Sequence, residues 1–258
     1  MLKASLAVLG VLVAFAPTPD TRTTAGTPAF DADDVLARTY AAYVALSSYA
    51  DSGTVVDESK GFQDRFAFRT RYTKQPRNYF LDFRYTGSVY DNGFKIDGQE
   101  QTVIWMQNGE LQTWLSKTQA HETYPEDGGR QVEALTGASN GTRGISVLVP
   151  SLIYTKAGMA SVVRATEDAV AAGMETLGGH PCFKVMGFER WGFPNGRVTG
   201  VRPITLWIDK ETHLIRKVLE DTPKDAPRGS LSRRIITFHP QANPPLEASH
   251  FSFTVPES

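Results

Sequence analysis

From Arg65 to Tyr72 the chain alternates without a break: Phe66, Phe68, Thr70 and Tyr72 fall on one side, Arg65, Ala67, Arg69 and Arg71 on the other. A repeat of two belongs to a strand with one buried and one wet face, because successive side chains leave a pleated backbone in opposite directions. The pattern returns from Tyr79 to Tyr85, with Tyr79, Leu81, Phe83 and Tyr85 against Phe80, Asp82 and Arg84. Two further runs, Thr102 to Gln107 and Glu110 to Leu115, flank Asn108-Gly109. That dipeptide tolerates positive φ at both corners of a tight turn, so the two runs form a hairpin. An antiparallel sheet is therefore the frame of the molecule.

The remaining segments fit around it. Asp31 to Ser47 predicts an amphipathic helix, with Asp31 or Asp33 as N-cap and Val35, Leu36, Thr39, Tyr43 and Leu46 on its apolar face. Gly53 marks the turn from this helix into a short strand, Thr54-Val55-Val56. Pro76 separates the two alternating strands. Residues 122–144 are polar and glycine-containing and read as a loop. Ile145 to Tyr154 reads as a short helix broken at Pro150, and Val162 to Ala172 fits helix and strand equally. Strands are expected at Cys182–Phe188, Pro203–Asp209, His213–Leu219, Arg234–Phe238 and His250–Val255. The turn Asp209-Lys210-Glu211-Thr212 joins two of them, and a loop covers Asp221 to Ser230. The expected fold class is α+β: one curved antiparallel sheet, an unclosed half-barrel, covered on its concave face by the N-terminal helix and a short middle helix. Two short helices cannot hide so wide a sheet, which leaves apolar surface for a ligand.

The start of the chain constrains where it works. Lys3 precedes an apolar run from Ala4 to Ala16, too short for a membrane span of roughly 20 residues and of the form of a secretory signal. Cleavage is expected after Ala16 or Ala25, so residues 1–25 are read as a leader and 26–258 as one domain. No cysteine stands in the leader, so the exported chain is expected to carry no lipid anchor. With a net charge of -1, a single cysteine and five scattered histidines, the sequence offers no nucleic-acid footprint, disulfide or multi-cysteine metal site. No glycine-rich phosphate loop is present.

Four stretches, in order along the chain, resemble the LolA/LolB superfamily of periplasmic lipoprotein carriers, to which RseB-type sensor domains are related. They are Tyr40-Ala41-Ala42-Tyr43 through Gly53-Thr54-Val55; Tyr72-Thr73-Lys74-Gln75-Pro76 with Tyr79-Phe80-Leu81; Leu206-Trp207-Ile208-Asp209 with Leu214-Ile215-Arg216-Lys217; and Asn243-Pro244 through Pro256. The resemblance implies a half-barrel whose helices lid an apolar cavity for acyl chains, with no covalent chemistry. The carrier's Arg-Pro pair, whose arginine holds the lid, is replaced here by Gln75-Pro76, so that latch does not carry over.

These readings give periplasmic, non-enzymatic binding or carriage of a lipid, acyl chain or lipoprotein, with no catalytic residue, metal or cofactor. The alternatives are an envelope sensor that docks a protein partner and a hydrolase with an unrecognised site. Phe66, Phe68, Tyr72, Tyr79, Leu81, Phe83 and Leu206 are the expected cavity lining, against the plainer reading that buried aromatics pack in a core. Trp105, Trp114 and Trp207 are weaker candidates; Trp207 alternates with Thr205 and Asp209, while Ile204, Leu206 and Ile208 form the more apolar face of its strand. His180-Pro181-Cys182 admits a thiol nucleophile, yet a lone cysteine beside Phe183 and Val185 reads as a buried small hydrophobe. The loop carboxylates Glu122, Glu126, Asp127, Glu220 and Asp221 read as solvated charge. Arg65, Arg69, Arg71 and Arg84 belong on the outer face, which reads as a wet face with edge protection or as a surface for lipid head groups or an acidic partner.

Overall fold

The computed structural model describes residues 30–126, 128–153, 161–192, 198–222 and 233–257. Residues 1–25, expected to be a leader, and most of the loop expected at 221–230 lie outside these. Helix α1 (Ala32–Ala45) starts where the cap predicts: the Asp31 carboxylate accepts from the N–H groups of Asp33, at 2.9 Å, and Asp34. Its apolar face is buried as spaced, through Val35, Leu36, Thr39 and Tyr43, with Leu46 just beyond.

The strands are β1 (Ser48–Ser59), β2 (Phe62–Thr73), β3 (Asn78–Tyr90), β4 (Lys95–Ile96), β5 (Gln101–Gln107), β6 (Glu110–Leu115), β7 (Ala120–Tyr124), β8 (Thr166–Leu177), β9 (His180–Gly192), β10 (Val198–Asp209), β11 (Ile215–Asp221), β12 (Arg233–Phe238) and β13 (Gln241–Ala242). They form one antiparallel sheet in the order β7-β6-β5-β3-β2-β1-β12-β11-β10-β9-β8, with β13 beside β1 and β4 beside β3. Its edges β7 and β8 do not meet, so the sheet is unclosed. Each half is a meander of neighbours in sequence, and the halves join where β1 pairs with β12, Gly53 opposite Phe238.

Helices α2 (Gly128–Gly137), α3 (Ile145–Ile153) and α4 (Val162–Ala165) complete the cover with α1. One core joins α1, α3 and α4 to the inner face of both halves of the sheet. A smaller cluster lies on the outer face, where Phe253 and Val255 pack on Val103, Trp105 and Trp114.

Several expectations are corrected. The short strand at Thr54 is the middle of the twelve-residue β1. Gly53 marks no turn: a Cβ there would lie 2.1 Å from the Thr237 carbonyl and 2.4 Å from the Phe68 ring, so the residue is small because two neighbours press on it. Residues 122–144 are not a loop throughout, since they hold the end of β7 and all of α2. The ambiguous 162–172 segment is both things, a single helical turn followed by β8. Residues 250–255 form no strand: a 3-10 turn at Ala248–Phe251 leads into an extended tail across Trp105 and Trp114. The Asn108-Gly109 hairpin is as predicted, with φ of 54° and 83°.

Candidate functional site: the space between the sheet and helix α2

All seven expected lining residues reach one place. Phe66, Phe68 and Tyr72 on β2, Tyr79, Leu81 and Phe83 on β3, and Leu206 on β10 belong to a single buried cluster on the helix-facing side. Most are packed rather than cavity-lining. Phe68 stands edge-on to Phe238 at 5.6 Å, and Leu81 and Leu206 have no exposed surface. Phe66 and Phe83, stacked on each other at 5.3 Å, also border open space.

That space lies toward the β7 edge, where α2 stands off the sheet. One cavity, of about 660 Å³, has a floor of Thr102, Thr113 and Leu115 and is roofed by Ala134, Gly137, Ala138 and Gly141. A second, of about 380 Å³, adjoins it at Thr102, Leu115 and Gly141 and continues over Phe66, Phe83 and Tyr85. Leu115 keeps 39% of its surface exposed although it is central to both. Sequence reasoning missed Leu115, at the end of an expected strand, and Ala134 on α2 with Ala138 just past it, since residues 122–144 read as a loop.

Charge at the rim is largely spoken for. Lys117 binds Glu100 at 2.8 Å, and the Tyr124 hydroxyl donates to Glu122. Ser88 donates to Asp64, beside the Tyr85 hydroxyl. Beyond Phe66, a third cavity of about 140 Å³ is lined by Arg143, Arg202, Arg234, Glu189 and Glu220. Here the sheet carries an unforeseen row of ion pairs. Arg143 lies 3.2 Å from Asp57, and Asp57 is 2.8 Å from Arg234. Arg234 meets Glu220 at 3.4 Å, Glu220 meets Arg202 at 2.6 Å, and Arg202 meets Glu189 at 2.7 Å. Glu220 is held above the usual carboxylate range by burial, against the pull of Arg202 and Arg234.

The thiol reading finds no machinery. Cys182 is fully buried, its Sγ lies 3.4 Å from the His180 carbonyl, and burial raises its pKa. The His180 ring turns instead to Arg216, which donates to its Nδ1 at 3.1 Å and clamps Asp209 at 2.9 Å. Arg69 and Arg84 share Asp82 on the outer face, as expected for a wet surface. Trp207 is also on that face, beneath Lys184 and Lys217, with its Nε1 donating to Glu175 at 2.8 Å. Among the described residues no group of His, Cys, Asp and Glu is placed to hold a metal ion.

No protein-family model and no curated protein matches the chain. Among solved structures, LprF from Mycobacterium bovis aligns over 90% of this chain and 99% of its own, with 16% identity and a TM-score of 0.50. The lipoprotein LppX from Mycobacterium tuberculosis aligns over 84% of this chain and 99% of its own, at 14% identity and a TM-score of 0.47. The MucA/MucB complex of Pseudomonas aeruginosa aligns over 87% of this chain and 62% of that one, at 17% identity and a TM-score of 0.44. At these identities the likeness concerns the fold alone.

Proposed function

We propose that this chain is an exported, non-enzymatic binding protein that shelters the acyl chain of a lipid or lipoprotein between its sheet and α2. The leader-like start supports export to the periplasm. The observation that carries the reading is the pair of adjoining cavities over Phe66, Phe83, Leu115, Ala134 and Ala138. Their volumes lie in the range of small-molecule sites, roughly 300–1,000 Å³. Leaving Leu115 wet costs free energy that an acyl chain recovers, at about 0.8 kcal/mol per buried methylene.

Phe66, Phe68, Tyr72, Tyr79, Leu81, Phe83 and Leu206 divide under this reading. Phe66 and Phe83 touch the ligand, and the other five hold the wall behind them. The test is displacement of a fluorescent fatty-acid probe. Leu115→Glu places a carboxylate where the side chain is already partly exposed, so the variant keeps its melting temperature and loses saturable binding. If it binds as wild type does, the chain does not lie there.

A second reading, docking of an envelope protein partner, draws on a different surface. Val170, Met186, Phe188 and Val201 are exposed at the β8–β10 end of the sheet, and Val170 is paired directly with Met186. Saturable protein binding with an empty cavity would favour it.

A further inference from the structure

Arg143 occupies an unusual position in the row of ion pairs. Asp57, Arg234, Glu220 and Arg202 each have an opposite charge on both sides; Arg143 and Glu189 are the two ends. Arg143 therefore shares its one carboxylate, Asp57, with the closer guanidinium of Arg234. The cationic end of the row is the less neutralised one, and it borders both the aromatic cavity and the small polar one.

The side chain also has a donor to spare. Its Nε is buried and has no hydrogen-bond acceptor, since Asp57 at 3.2 Å stands outside hydrogen-bonding geometry. The guanidinium lies over the Phe66 ring, 4.8 Å from its centroid, so its donors are directed around the ring edge. The backbone fixes this placement. Arg143 adopts a φ of 53° ahead of Gly144, in a corner held by Thr142 Oγ1 donating to the Ala138 carbonyl and Ser146 Oγ donating to Leu135. A side chain other than glycine in that region carries strain.

On the reading that an acyl chain lies in the cavities, we infer that Arg143 anchors the anionic head group of the ligand, a carboxylate or a phosphate, at the boundary between the aromatic and polar cavities. The chain then runs from Phe66 and Phe83 toward Leu115 and α2. Guanidinium recognises both oxyanions through charge-assisted, in-plane hydrogen bonds. Lys117, the other cation on this cavity, is paired with Glu100 and so competes weakly. Asp64 borders the same space and opposes an anion, but accepts from Ser88 on its own strand pair.

The test compares ligands with one chain and different heads: palmitate, hexadecyl phosphate and hexadecanol, each displacing a fluorescent probe. Wild type binds at least one of the two anionic ligands roughly tenfold or more tightly than hexadecanol; the tighter of the two names the head group. Arg143→Met keeps the stem over Phe66 and brings that ratio close to one, and Arg143→Lys restores part of it. Asp57 retains Arg234 in both variants, so they fold. Equal binding of all three ligands by wild type, or an undiminished ratio in Arg143→Met, overturns the head-group assignment and leaves the cavity reading standing. Binding of inorganic phosphate as tight as that of hexadecyl phosphate also overturns it, by showing a free-anion site. No saturable binding of any of the three removes the cavity reading and the assignment with it.

Discussion

Asp51 is buried beneath α1, where its carboxylate accepts from the Tyr49 hydroxyl at 2.7 Å and from the His239 N–H at 2.7 Å. Burial outweighs these bonds and pushes its pKa from 3.8 up to about 7. Between those values the folded protein holds a proton that the unfolded chain has released, so stability falls as pH rises through that window. The loss by pH 8 is on the order of 4 kcal/mol. Calorimetry is expected to show a higher melting temperature at pH 5 than at pH 8, with much of the difference absent in Asp51→Asn; an Asn variant with the wild-type slope would clear Asp51 of the effect. Cys182 makes a contrasting case. Its sulfur is enclosed but has a carbonyl within 3.4 Å, which a serine hydroxyl can use. Cys182→Ser therefore costs only about 1 kcal/mol, toward the low end for a buried polar group. The native thiol reacts with a thiol reagent only once denaturant is added, whereas fast labelling of the folded protein would restore the nucleophile reading. The plain reading of Cys182 was available from its apolar neighbours. The abnormal acidity of Asp51 was not, because only the packing of α1 onto β1 takes water from it.

Helix α2 is the element on which ligand access depends. It is polar, and it stays in place through few contacts with the sheet. Gln131 Nε2 donates to the Gly109 carbonyl at 2.7 Å and to Pro125 at 3.3 Å, tying the helix to the β5–β6 turn. Gln131→Ala removes that tie and leaves the part-buried Gly109 carbonyl without its side-chain donor, at a cost of about 1 kcal/mol. The expected signature is faster amide exchange confined to α2 and β7, with the rest of the sheet unchanged. Exchange that quickens evenly over the whole sheet would show that α2 is not a separate unit. The same weak attachment explains why this element was hard to read. The strands around Phe66 and Leu81 declare themselves through a period of two, and α1 through its apolar face and cap. Among the described residues of α2, Ala134, Leu135 and Gln131 are the buried ones, so little apolar periodicity is available. Likewise, β1 continues well beyond Thr54-Val55-Val56 because its buried positions include Asp51, Gly53 and Asp57, which no hydrophobic pattern counts. The tail after Phe251 alternates like a strand, yet its partners are side chains on the outer face rather than a sheet edge.

At the scale of the whole molecule, the two meanders are held together by the β1–β12 pairing and by the charges that cross it. Asp57 on β1 faces Arg234 on β12 in register, and Glu220 on β11 shares the same guanidinium. A buried pair of this kind adds little net stability over a well-packed apolar substitute, because both ions are desolvated, but removing one member leaves the others exposed to that cost. The arrangement therefore acts chiefly on register: a slip of one residue between β1 and β12 would turn Arg234 to the outer face and leave Asp57 and Glu220 without it. Arg234→Met is expected to cost roughly 3–5 kcal/mol at neutral pH. The sign of its pH dependence follows from the carboxylates. Glu220, already raised by burial, loses one of the two guanidinium groups that hold it down, so it is easier to protonate in the folded variant than in the unfolded chain and the variant regains stability as pH falls toward 5. Chemical denaturation of wild type and variant at pH 5 and pH 8 measures this directly. A deficit of the same size at both pH values would mean that Arg234 holds the halves together by packing and not by charge.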